Sequence, residues 1–171
     1  MPTLIAMVGL PRSGKSTIVK QLSDEYFAPI VKKDDIRLAL HGHVYEKNAE
    51  PFVRAISKVM IASLFLSGHE VVIADETHYS REARDFVRDG NWETVFYEVK
   101  TPPEVCRQRA DLTGHVWLHP VIEQMWARRT PLQPDERRYE DWYQEPIVIN
   151  VTVLHPAKDC PEGFRGCQQC E

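Results

Sequence analysis

The chain has 171 residues, 25 acidic and 21 basic side chains, and a formal net charge of −4. That length suits one domain, which can bury roughly 70% of its unfolded surface without a disulfide or metal staple. The acidic balance disfavours tracking along a polyanion except through a local basic groove, and no apolar run approaches the ~20 residues of a membrane span.

Thr3 to Val8 is a continuous apolar run, the pattern of a strand buried on both faces of a parallel sheet. It has no basic segment before it and leads straight into a glycine loop, Gly9 to Ser16. It therefore reads as a first strand rather than a signal peptide, and a cytosolic location is expected. A helix is expected from about Lys15 to Asp24, with Ile18, Val19 and Leu22 on one face. Ala28 to Val31 reads as a second strand, and "KKDDIRLAL" as a turn that starts a helix. Pro51 stands where the next helix begins and Gly68 where it ends. "EVVIA" is a third buried strand, followed at once by Asp75. Ser80 can cap a helix through about Asp89, closed by Gly90. "TVFYEV" is a fourth strand. "TPPE" reads as a capping box in which Thr101 caps, Pro102 takes the first helical position and Glu104 reaches back. Pro120 opens a helix to about Arg129, and "PIVINV" is a fifth strand. Strand alternates with helix throughout, which predicts an α/β fold with a parallel five-stranded sheet flanked by helices. The domain is expected to span residues 1–155, with a Cys-rich tail at 156–171.

"GLPRSGKS" fits G-x-x-x-x-G-K-[ST], the phosphate-binding loop, between a strand and a helix as that loop requires. Its glycines let successive N–H groups turn inward around phosphate oxygens, and the next helix aims its positive end at the same point. Pro11, Arg12, Ser13, Gly14, Lys15, Ser16 and Thr17 are the candidate ATP-binding residues. Lys15 supplies a compact charge to the outer phosphates, and the Ser16 hydroxyl is placed for Mg²⁺. Asp75, at the end of a buried strand, is the second candidate Mg²⁺ ligand, directly or through water; a capping role is the alternative.

The loop alone does not separate a kinase from a GTPase, a motor or a binding module. "KKDDIR" follows the second strand, whose end faces the ligand crevice in such sheets. Transfer to an alcohol needs a carboxylate near the attacking hydroxyl and a cation to hold the acceptor. Asp34 or Asp35 with Arg37 supplies both within one turn, although the same residues also suit a plain helix start. No guanine-reading N-K-x-D is present.

Taken together, these motifs resemble the polynucleotide-kinase branch of P-loop kinases, related to zeta-toxin-like and small-molecule kinases, over roughly residues 3 to 155. "GLPRSGKST" matches that family's loop, including the proline two residues after the first glycine. "KKDDIR" resembles its basic-Asp-Asp-x-Arg stretch, which implies that Asp34 is the general base and Arg37 the clamp on a substrate phosphate. "VVIADETH" resembles the strand bordering the acceptor, which implies substrate roles for Asp75, Thr77 and His78. "PPEVCRQR" resembles the helix leading into a lid and places a catalytic Arg at Arg109. "HPVIEQMWARRTPLQPDE" resembles the proline-started helix and the acidic segment after it. The second lid Arg common in the family falls here near Thr113, with Arg107, Arg128 or Arg129 as substitutes. Arg81 and Arg84 read as a solvated helix face, with contact to an anionic acceptor as the alternative, and His115 and His119 read as packing or capping residues rather than ligands. The resemblance implies ATP with Mg²⁺ and a nucleic-acid hydroxyl acceptor, most simply a 5′-OH. A hydroxymethyl group on a modified DNA base and a free small alcohol or nucleoside are the alternatives; an NTP-binding switch is the contrasting class.

The tail carries His155, Cys160, Cys167 and Cys170, a residue set that can make a tetrahedral Zn²⁺ site. A tail with reactive thiols and a redox pair are the competing readings. Cys106 reads as a small buried apolar residue.

Overall fold

The structure is a computed structural model that describes residues 1–42 and 47–143. The expected fifth strand, "PIVINV", and the tail residues His155, Cys160, Cys167 and Cys170 lie outside the described residues.

Among the described residues, four parallel strands form the sheet: β1 (Thr3–Val8), β2 (Ile30–Lys32), β3 (Val71–Asp75) and β4 (Glu93–Glu98), in the order β2-β3-β1-β4. β1 is central and all six of its residues are buried. Because side chains alternate along a strand, β1 feeds two cores. Leu4, Ala6 and Val8 face one layer with Ile36, Val53, Ile61 and Val87. Ile5 and Met7 face the other, with Val19, Leu22 and Tyr139. The first layer is built from α2 (Lys33–His41), α3 (Glu50–Leu66) and α4 (Arg81–Val87); the second from α1 (Lys15–Tyr26) and the short α7 (Tyr139–Trp142).

A third, smaller core joins α5 (Pro103–Leu112) and α6 (His119–Arg128). Cys106, Ala110 and Ile122 enclose Leu10 of the glycine loop, so this helical hairpin is anchored on the loop itself. Cys106 is buried and free, as its apolar reading predicts.

Local punctuation follows the residue chemistry. Pro51 sits in the first turn of α3, where its missing N–H costs nothing. The Ser80 hydroxyl accepts from the Ala83 N–H and caps α4, although that helix stops at Val87 rather than Asp89. The capping box at "TPPE" does not form. α5 begins at Pro103, its cap is Pro102, and no side chain caps it. The Thr101 hydroxyl is engaged elsewhere, as described below. No helix among the described residues is long and apolar enough to cross a membrane.

Candidate active site

The four described strands run the same way, so their carboxyl ends share one edge of the sheet, where parallel α/β sheets bind ligands. The register puts Lys32 beside Asp75 and Val8 beside Glu98. The glycine loop after β1, the start of α2 after β2 and Asp75 at the end of β3 therefore meet at this edge.

The loop is shaped by its glycines. Gly9 has φ 155° and Gly14 φ 100°, both in the region that favours glycine, and Arg12 joins them at φ 63°. A Cβ on Gly9 would stand 3.0 Å from the Val99 carbonyl oxygen and 3.1 Å from Ser13 Oγ, so the loop is packed tightly against the β4–α5 connection. The Gly9 N–H donates to Thr77 O at 3.0 Å, which ties the loop to the segment after β3. Gly14 caps α1 without a side-chain hydrogen bond, leaving that helix start to receive an anion.

Lys15 is buried, and its ammonium folds back on the loop. It donates to Leu10 O at 2.5 Å and to Gly9 O at 3.0 Å. Burial lowers its pKa to about 8, against the opposing pull of Asp75 and Asp34. The Ser16 hydroxyl donates to Asp75 Oδ2 at 3.1 Å. Burial pushes the Asp75 carboxyl up, while Ser16 and Lys15 pull it down less strongly. This pair fits Mg²⁺: a hydroxyl and a carboxylate are hard oxygen donors, and Mg²⁺ is usually held by one or two protein oxygens with phosphates and water completing the shell.

Asp34 and Asp35 lie in the first turn of α2. The Asp34 side chain is 51% exposed, and it stands two residues after Lys32, which the register puts beside Asp75. Arg37 donates to Asp34 Oδ1 at 2.6 Å and makes a two-pronged contact with Glu50, at 2.7 and 2.8 Å. The hydrogen bonds from Arg37 hold the Glu50 carboxyl below its ordinary value despite partial burial. Arg37 thus stands between two carboxylates. Helical spacing explains its contact with Asp34; no spacing in the sequence links it to Glu50.

His78 departs from its expected place at the acceptor border. It is fully buried, with Nδ1 2.8 Å from the Met7 carbonyl oxygen and Nε2 3.3 Å from Glu76 Oε2. A carbonyl only accepts, so Nδ1 carries the proton and Nε2 faces the Glu76 carboxylate. Burial lowers the His78 pKa, against the opposing pull of the Glu76 carboxylate and the Met7 carbonyl. Glu76, beside Asp75, also takes a hydrogen bond from Ser57 at 3.0 Å and forms a nearly buried ion pair with Lys33. This cluster ties the start of α2 to the end of β3. The acidic pair "DE" at 75–76 is its only trace in the sequence. Of Thr77, the contact at the site is its backbone carbonyl to Gly9.

Arg109 reaches the glycine loop from α5, where Nη1 donates to Ser13 O at 3.0 Å and Arg12 O at 3.3 Å. Of the substitutes for a second lid Arg, Arg107 pairs with Glu104 and Glu123, and Arg129 lies over the Trp126 ring, 3.3 Å from its centroid. His119 pairs with Asp111 at 2.8 Å, and His115 meets Thr113 Oγ1 at 3.1 Å; neither side chain caps a helix.

Arg84 corrects the solvated-face reading of α4. It is fully buried and saturated, donating to Glu136 Oε1 at 2.7 Å and Oε2 at 3.1 Å, and to the carbonyls of His78, Thr130 and Pro131. Arg81, on the surface, pairs with Asp85 and Asp135.

The AAA domain family matches residues 4–112. The chain belongs to this family of P-loop proteins. Its fold is similar to a chain of the Pnkp1/Rnl/Hen1 RNA repair complex, with 21% identity and TM-score 0.59 over 80% of this chain and 48% of that one. The chain therefore spans about half the length of that relative. It is similar to a gluconokinase from Sinorhizobium meliloti, with 19% identity and TM-score 0.57 over 80% of each chain. It is also similar to the APS kinase CysC of Mycobacterium tuberculosis, solved with AMPPNP and APS, with 19% identity and TM-score 0.61 over 82% of this chain and 92% of that one. No curated protein matches the chain. The AAA domain protein described here is α/β and kinase-like in fold, and a P-loop of this kind implies a nucleotide ligand.

Proposed function

We propose that this AAA domain protein is a kinase that transfers the γ-phosphoryl group of ATP to a hydroxyl, with the 5′-OH of a nucleic acid as acceptor. The observation that carries the reading is the convergence of Lys15, the Ser16–Asp75 pair and Asp34 at one sheet edge, with Asp34 open to solvent. A switch or binding module needs the first three groups; an exposed carboxylate beside them is what an alcohol nucleophile needs.

Lys15 leaves the carbonyls of Gly9 and Leu10 for the outer phosphates, and the loop amides hold the phosphate oxygens. Ser16 and Asp75 are the residues that would hold Mg²⁺, which when bound neutralises phosphate charge. Asp34 takes the proton of the attacking hydroxyl as the phosphoryl group moves in line. Arg37, from the same helix, donates to the Asp34 carboxylate and keeps it aimed, and Lys33–Glu76 fixes the start of that helix against β3. Packing of the α5–α6 hairpin on Leu10 helps exclude water, which would otherwise compete as acceptor.

A free small alcohol is the second reading, and one observation favours it. The resemblance assigns Arg37 to a substrate phosphate, yet its guanidinium already meets two carboxylates.

A labelled-ATP screen separates these readings. Its acceptors are 5′-OH oligonucleotides, 5-hydroxymethyl-base DNA, nucleosides and small sugars. Label on oligonucleotide 5′ ends supports the main reading. Label only on the hydroxymethyl base or on a small alcohol overturns it in favour of that acceptor. Release of free phosphate alone removes the kinase reading altogether.

A further inference from the structure

Thr101 stands after β4, 88 residues from the glycine loop, and its hydroxyl donates to the Ser13 carbonyl oxygen at 2.8 Å. Arg109 donates to the same oxygen at 3.0 Å. Ser13 is itself buried, and its N–H is held by Leu10 O at 3.2 Å. Both sides of this residue are thus fixed. The described residues contain no cis peptide, and in a trans peptide the carbonyl and the next N–H point in opposite directions. Holding Ser13 O against the β4–α5 connection and Arg109 turns the Gly14 N–H the other way, away from both.

We propose that Thr101 is a positioning residue for nucleotide binding, aiming the Gly14 amide at the polyphosphate by anchoring the peptide that carries it. This inference rests on the nucleotide-binding reading above and deepens it. The surroundings suit the role. Thr101 N donates to Val99 O at 3.1 Å, and the two prolines that follow restrict the backbone. The hydroxyl is therefore held in place before any ligand arrives. Val99 closes the back of the loop, where a Cβ on Gly9 would stand 3.4 Å from its Cβ. Thr101 touches no phosphate. It acts through one peptide plane, and it shares that work with Arg109.

The test is calorimetric titration of the full chain with magnesium AMPPNP and, separately, magnesium pyrophosphate. Thr101→Val keeps the side-chain shape and removes the hydroxyl; Thr101→Ala removes it by another route; Thr101→Ser keeps it. Loss of one such hydrogen bond should weaken both ligands by roughly three- to tenfold in the Val and Ala variants, with the Ser variant within about twofold of the parent. In amide spectra the Gly14 resonance should shift with saturating pyrophosphate in the parent and the Ser variant, and shift less in the Val or Ala variant. Parent-like affinity in the Val or Ala variant overturns the proposal and leaves the nucleotide reading intact. So does weakening confined to AMPPNP, because pyrophosphate touches only the loop. No binding of either ligand by the parent chain overturns the nucleotide reading, and this proposal with it.

Discussion

The Ser16 hydroxyl and the Asp75 carboxylate meet at 3.1 Å, although 59 positions separate them in the chain. The parallel pairing of β1 with β3 produces this meeting, because it brings the helix start after one strand alongside the end of the other. Replacing Asp75 with Asn keeps the side-chain volume and removes the charge that suits Mg²⁺. The expected outcome is a fall of about tenfold or more in affinity for magnesium ATP, in line with the loss of one charge-assisted contact. Binding of metal-free ATP should change little. Paired titrations with and without Mg²⁺ check this; an equal loss in both would place Asp75 outside the metal's reach.

Asp34 is exposed and braced, so its removal should cost chemistry rather than structure. Asp34→Asn is expected to lower kcat for phosphoryl transfer by roughly 10²- to 10⁴-fold, the usual contribution of a general base, while ATP affinity and thermal stability stay near those of the parent. Single-turnover kinetics with labelled ATP reads the first and calorimetry the second. Unchanged kcat would remove Asp34 from the base role and leave Asp35 to be tried.

Lys15 has a pKa lowered by burial to about 8 in the free protein. Bound phosphates favour its charged form and raise that value. Binding above about pH 8 should therefore take up a proton, and affinity for magnesium ATP should fall as pH rises through 8 and 9. Calorimetry in buffers of different ionisation enthalpy measures the uptake, and Lys15→Met should abolish it. Stability has the opposite slope. The folded chain binds fewer protons than the unfolded one between about pH 8 and 10.5, so this group adds stability as pH rises through that window.

Arg84 and Glu136 form a pair with neither side chain exposed. Breaking such a pair on one side leaves a buried charge uncompensated, at a cost of about 3–5 kcal/mol. Arg84→Met is expected to lower Tm by roughly 6–20 °C for a chain of this size. The double variant Arg84→Met, Glu136→Leu should recover part of that loss. A shift under about 2 °C in the single variant would contradict the burial described.

The sequence carried the architecture because its signals are local. A run such as Thr3–Val8 can only be buried, and "GLPRSGKS" between strand and helix has few other uses. What it did not carry are pairings that form across elements. Arg84 looks like any helix-surface cation until the 130–136 segment wraps over it. Glu50 gives no sign that it faces Arg37, because the two sit on different helices. Thr101 has the local pattern of a cap, but tertiary packing places Ser13 O within reach, and the hydroxyl goes there instead. His78 sits next to functional residues in sequence, yet the turn after β3 sends it inward.

The central place of β1 has a further consequence for synthesis. Its neighbours among the described residues are β3, at residues 71–75, and β4, at residues 93–98, so both partners of β1 are made well after it. At about 5–20 residues per second, the ribosome needs roughly 5–18 s to supply the other half of its surroundings. During that interval the segment "TLIAMV" is a sticky, strand-forming stretch with no partner in the sheet. A nascent chain of this design invites a chaperone at β1, and stalling before residue 98 should leave it prone to clumping.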